Sequence, residues 1–157
     1  MRKSKSKTKN GKLNAAEIRN LLNKQAGADV SYDLLGDNPT EVKEWIPTGS
    51  RWLDSIICRG RLAGIPVGKI TEIAGLESTG KSFLAAQVAA NAQSMGIDVI
   101  YFDSESAIDP VFLERTGCDL SSDVGEGRGS FVYIQPESVE HVLETIETLL
   151  DANDNKM

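Results

Sequence analysis

The feature that most constrains this chain is Gly75-Leu76-Glu77-Ser78-Thr79-Gly80-Lys81-Ser82, which meets the pattern G-x-x-x-x-G-K-[ST] at every fixed position. The spacing has a chemical reason. Gly75 and Gly80 allow backbone angles that other residues resist, so consecutive N–H groups can turn inward around a phosphate. The helix that follows adds the positive end of its dipole. Lys81 can reach the outer phosphates, and the Ser82 hydroxyl can ligate Mg²⁺. A glycine-rich turn of purely structural use can match the same letters, so context decides. Here the apolar run Lys69–Ala74 reads as a strand before the loop, and the Ala-rich run Ser82–Met95, ended by Gly96, reads as a helix after it.

Beyond the loop the pattern keeps alternating. Asp98–Phe102 is a β-forming run of the kind expected of a strand buried on both faces. Pro110–Thr116 reads as a short helix opened by Asp109 and Pro110, and Phe131–Ile134 as a further strand. Pro136–Leu150 reads as a helix whose apolar positions recur at a 3.6-residue period. Strands separated by helices pair in parallel through right-handed crossovers, so the expected class is α/β: a phosphate-loop NTPase sheet flanked by helices. Upstream, Asn14 and Glu17 have capping-box spacing, Leu13, Ile18, Leu21 and Leu22 form one apolar stripe, and Gly27 can end the helix. Residues 28–50, with Gly36, Pro39 and Pro47, read as a linker. The expected organisation is a basic arm over 1–12, a helix and linker over 13–45, and the main domain over 46–157.

The run Asp98–Phe102 ends in Asp103-Ser104-Glu105. Ligands of open parallel sheets sit off the carboxyl ends of the strands, so these acids are expected to face the phosphate loop. A carboxylate there can polarise an attacking water, or it can merely cap a turn, and the residues alone leave both readings open. Other tempting residues read as ordinary. His141 falls on the polar side of its helix, Ser121–Ser130 reads as a connector, and Trp45 and Trp52 cover core or interface surface. Cys58 and Cys118 lie in no metal-type spacing and read as reduced thiols of a cytoplasmic protein.

Charge is asymmetric. Residues 1–12 carry six positive charges and no acid, which leaves −12 on the remainder of a chain whose net charge is −6. Such an arm is a solvated tail or a weak contact for nucleic acid. The acidic body argues against a broad DNA-binding face. The chain by itself is therefore expected to bind single-stranded DNA weakly, without nucleotide dependence and with steep loss as salt rises. Filter binding before and after deletion of residues 1–12 checks this, and tight ATP-stimulated binding that survives the deletion contradicts it. No run approaches the ~18 apolar residues of a membrane span, and no signal peptide is visible.

Several blocks then come together in one order. Ile46-Pro47-Thr48-Gly49-Ser50, Leu53-Asp54, Gly64-Ile65-Pro66-Val67-Gly68-Lys69-Ile70, the phosphate loop, Phe102 through Pro110, and Gln135-Pro136-Glu137 together resemble the core of the RecA-type recombinases over about residues 46–150. The details are most similar to phage recombinases of the UvsX type. The resemblance implies ATP and Mg²⁺ as cofactors, single-stranded DNA as a partner, self-association into a helical filament, and recombination and DNA repair as the process. It implies that Glu105 activates the attacking water alongside Lys81, that Asp109 lies beside the adenine, and that Phe112 supplies the ring usually provided by a tyrosine. It also implies that the helix at Asn14–Ala26 docks on a neighbouring subunit. In that family an apolar strand ending in the Walker B aspartate follows the Pro136–Leu150 helix, and here the chain reaches Met157 without one. The expectation is an ATPase core incomplete at its C-terminus, a fragment or truncated product inactive alone. Two other readings stay open: a RecA-superfamily helicase or repair accessory ATPase, and a non-catalytic nucleotide-binding fragment.

Overall fold

The computed structural model describes residues 13–36, 40–106 and 108–154, so the basic arm lies outside the described residues. The chain divides into two units, one ending at Glu41 and one beginning at Val42.

In the first unit helix α1, Ala15–Ala26, starts where its cap dictates. Asn14 Oδ1 accepts from the Glu17 N–H at 2.9 Å, and the Glu17 carboxylate accepts from the Asn14 N–H at 2.8 Å. Gly27 ends the helix at φ 67°, a left-handed angle that favours glycine. The chain then folds back along the helix. The Asn23 side chain donates to Asp29 Oδ1 and Ser31 O and accepts from the Val30 and Ser31 N–H groups, which uses the full capacity of its amide. Arg19 pairs with Asp33 at 2.9 Å and holds that carboxyl below the usual range.

The second unit opens with a small clasp. Strand β1, Trp45–Ile46, pairs antiparallel with β2, Ile65–Pro66, and helix α2, Arg51–Ile57, lies between them in sequence. Ser50 caps α2, and the fully buried Thr48 donates both its N–H (2.9 Å) and its hydroxyl (2.7 Å) to Asp54 Oδ1. A buried carboxylate is tolerable because those bonds are made, and Thr48→Val would leave one unmade at about 1–3 kcal/mol.

The expected strand at Lys69–Ala74 is not one. Residues 70–76 join no ladder, Ile70 is fully exposed, and Ile73 is 38% exposed. A strand exists only by pairing, and no described strand runs beside this segment. Helix α3, Lys81–Ser94, follows, and its buried Ala86, Ala89, Ala90 and Gln93 form one face at helical spacing. Strands β3, Val99–Phe102, and β4, Phe131–Ile134, pair in parallel with Val99 opposite Phe131 and Phe102 opposite Ile134. Helix α4, Pro110–Thr116, lies in the connection between them, with Asp109 as its cap and Pro110 in its first turn.

The core lies on one side of this ladder, where Ala86, Ala89, Ala90, Leu113 and Cys118 pack with Val99 and Phe131 against them. The expectation of burial on both faces is not met. Side chains alternate along a strand, and Ile100 and Val132, on the other face, are 39% and 47% exposed. Gln93, fully buried, ties the 119–129 connector to α3. Its amide donates to Asp119 O (2.9 Å) and Gly129 O (3.0 Å) and accepts from the Asp119 N–H (2.9 Å). Helix α5 runs Val139–Asp154 rather than from Pro136. Ser138 starts it, its hydroxyl accepting from the His141 N–H at 3.2 Å. His141 is exposed, as expected of its position.

Both cysteines are buried free thiols, and burial pushes the Cys118 thiol up from its ordinary value. Only thiolate reacts, so Cys118 is expected to resist alkylation in the native chain and to react readily in urea. Mass spectrometry of iodoacetamide-treated protein checks this, and equal labelling in both states contradicts it.

Candidate phosphate-binding cleft

The loop before α3 is closed by its own side chains. Thr79 Oγ1 donates to Leu76 O at 2.7 Å, Ser78 takes φ 61°, and Gly80 enters α3 at φ 91°. A Cβ on Gly75 would lie 2.9 Å from Thr79 Oγ1, so a side chain there would displace the hydroxyl that closes the loop. Lys81 reaches back across the turn, its Nζ donating to Gly75 O at 3.1 Å and Leu76 O at 2.8 Å. The ammonium therefore lies over the loop.

An open cleft of about 620 Å³ faces this loop. Glu77, Ser78, Lys81 and Ser82 line one wall. Tyr101 to Glu105, Ile108, Asp109 and Phe112, from the end of β3 and the start of α4, line the other. A smaller hollow of about 320 Å³ beside it adds Thr79, Gly80 and Phe83. Of the candidate binding residues, Gly75 and Leu76 line neither cavity, and their carbonyls accept from Lys81 Nζ. Among the described residues no group of three His, Cys, Asp or Glu side chains could hold a metal.

The two acids at the end of β3 separate by role. Asp103 is buried, and its carboxylate accepts from the Glu105 N–H (3.2 Å), the Ile108 N–H (3.1 Å) and the Tyr133 hydroxyl (3.0 Å). Glu105 is exposed on the cleft wall. Asp109 Oδ1 accepts from the Val111 N–H at 3.1 Å and so caps α4, while Phe112 lies 6.2 Å from Phe83 between ring centres. Asp109 thus combines a cap with a place on the wall.

Tyr101 and Tyr133 were not singled out from the sequence. Tyr101 lines the cleft and stacks on Phe131, and burial, then the charge of Asp103, raises its phenol above its ordinary value. Partial burial and the bond to Asp103 do the same to Tyr133. The parallel register places these two residues opposite each other, a pairing that nothing local in the sequence marks.

Among the described residues no helix is long and apolar enough to cross a membrane. Residues 13–157 match the family model for the RecA N-terminal domain. Protein RecA of Bifidobacterium breve is 40% identical over 116 residues, covering 74% of this chain and 27% of that protein. Protein RecA of Aquifex pyrophilus is 38% identical over 143 residues, covering 90% of this chain and 37% of that protein. Protein RecA of Aquifex aeolicus is 42% identical over 110 residues, covering 69% and 28% respectively. The chain thus spans between about a quarter and two fifths of the length of these relatives. It belongs to the RecA-type recombinases, as a stretch of their N-terminal domain.

Proposed function

We propose that this chain carries the ATP-binding portion of a DNA-dependent recombinase ATPase, a phosphate-loop core built on a parallel sheet. The observation that carries this reading is the cleft itself. One cavity gathers Glu77, Ser78, Lys81 and Ser82 of the loop, an exposed glutamate at the end of a parallel strand, and an acid and an aromatic ring further along the same wall.

The residues fit the groups they would hold. The motif residues Gly75 to Ser82 cradle the phosphates, and Lys81 exchanges its carbonyl bonds for phosphate oxygens, a trade of neutral acceptors for charged ones. Ser82 offers a hydroxyl to Mg²⁺, which neutralises charge building on the phosphates during transfer. Glu105 orients a water and accepts its proton at the carboxylate. Asp109 and Phe112 bound the base. Single-stranded DNA binding, strand exchange, repair and filament formation in the cytoplasm are the activities proposed for a full-length protein with this core.

DNA-stimulated ATP hydrolysis by a full-length RecA-type protein carrying residues 46–150 of this chain tests the proposal. The expected result is turnover that rises on adding single-stranded DNA. Turnover with no response to DNA would favour an accessory ATPase instead.

A further inference from the structure

The turn after β3 leads from Glu105 towards Asp109, and its backbone is not relaxed at Ser106. Ser106 takes φ 54°, a left-handed angle costly for a residue with a side chain, so neighbouring bonds must hold it there. Those bonds converge on the end of β4. Asp103 ties the loop at two points, through the N–H groups of Glu105 and Ile108, and the Tyr133 hydroxyl donates to the same Asp103 oxygen that holds Ile108. Two residues on, Gln135 Nε2 donates to the Ser106 hydroxyl oxygen. We infer that Tyr133, acting through Asp103, is a positioning residue that sets the base-side wall of the cleft, Ile108 to Phe112, independently of the phosphate loop.

The inference rests on the reading of the cleft as an ATP site. The Tyr133 hydroxyl shares one Asp103 oxygen with the Ile108 N–H, so without it that oxygen is held less firmly, and so is the start of the segment that carries Asp109 and Phe112. Lys81 and Thr79 of the phosphate loop bond instead to carbonyls of their own loop. A fault at Tyr133 therefore separates the nucleoside from the phosphates.

Tyr133 is 45% exposed, so Tyr133→Phe removes a hydroxyl without opening the core. The test is calorimetric titration of the full chain with Mg²⁺-ATP and with Mg²⁺-tripolyphosphate, which carries the phosphates and no nucleoside. Tyr133→Phe is expected to weaken ATP about tenfold, the scale of one hydrogen bond to a charged group, and to leave tripolyphosphate unchanged. Val132→Ala, on the exposed face of the same strand, is expected to change neither. Equal weakening of both ligands by Tyr133→Phe would show a general structural role and overturn the inference, as would no change in either. An unaltered chain that binds neither ligand would remove the ATP reading and the inference with it.

Discussion

Lys81→Ala is expected to abolish ATP turnover in a full-length RecA-type protein carrying this core, and to weaken ATP binding by this chain by about a hundredfold or more. The magnitude follows from what the ammonium does. It already sits over the loop, bonded to Gly75 O and Leu76 O, so little ordering remains when phosphate arrives. Two charge-assisted bonds at about 1.5–3 kcal/mol each amount to at least two decades of affinity. Lys81→Arg is expected to fail as well, because a planar fork cannot fold back into the tight turn closed by Thr79. Equilibrium dialysis with labelled ATP, beside a turnover assay, measures both effects. Normal turnover by Lys81→Ala would remove the assignment of the loop.

Glu105→Gln is expected to separate binding from chemistry. ATP binding should persist, since the side chain lies on the far wall from Lys81, while hydrolysis slows by roughly two orders of magnitude or more, the scale of a lost base. The structure sharpens this expectation by assigning the turn-holding work to Asp103. Glu105 contributes its backbone N–H to that clamp, and the substitution leaves the N–H in place. Single-turnover hydrolysis together with a binding isotherm decides the matter. Parallel loss of binding and hydrolysis would make Glu105 a structural residue and leave the base unassigned.

What could be read from the sequence was what local rules govern. The Asn14–Glu17 box, the Asp109-Pro110 helix start and the left-handed Gly27 end need only their near neighbours, and each stands where its residues demand. The phosphate-loop spacing is equally local. What escaped depends on partners distant in sequence. Lys69–Ala74 has strand composition, but a ladder needs a neighbour that no described segment supplies. Strands β1 and β2 are two residues each, too short for any period, and the segment between them is tied by Thr48 to Asp54 and by Cys58 to Gly64. Asp103 and Glu105 look alike in the sequence. Only the approach of Tyr133, from thirty residues away, shows which is buried as a clamp and which faces the cleft.

The central claim is that one cleft, walled by the phosphate loop and by the segment after β3, receives ATP. Backbone amide spectra of the ¹⁵N-labelled chain, recorded as Mg²⁺-ATP is added, test it most directly. Saturable shifts confined to Gly75–Ser82 and to Ser104–Phe112 are expected, with α1 and α5 unmoved. Saturable shifts centred on any other segment, or none at concentrations far above those that fill such sites, would contradict it.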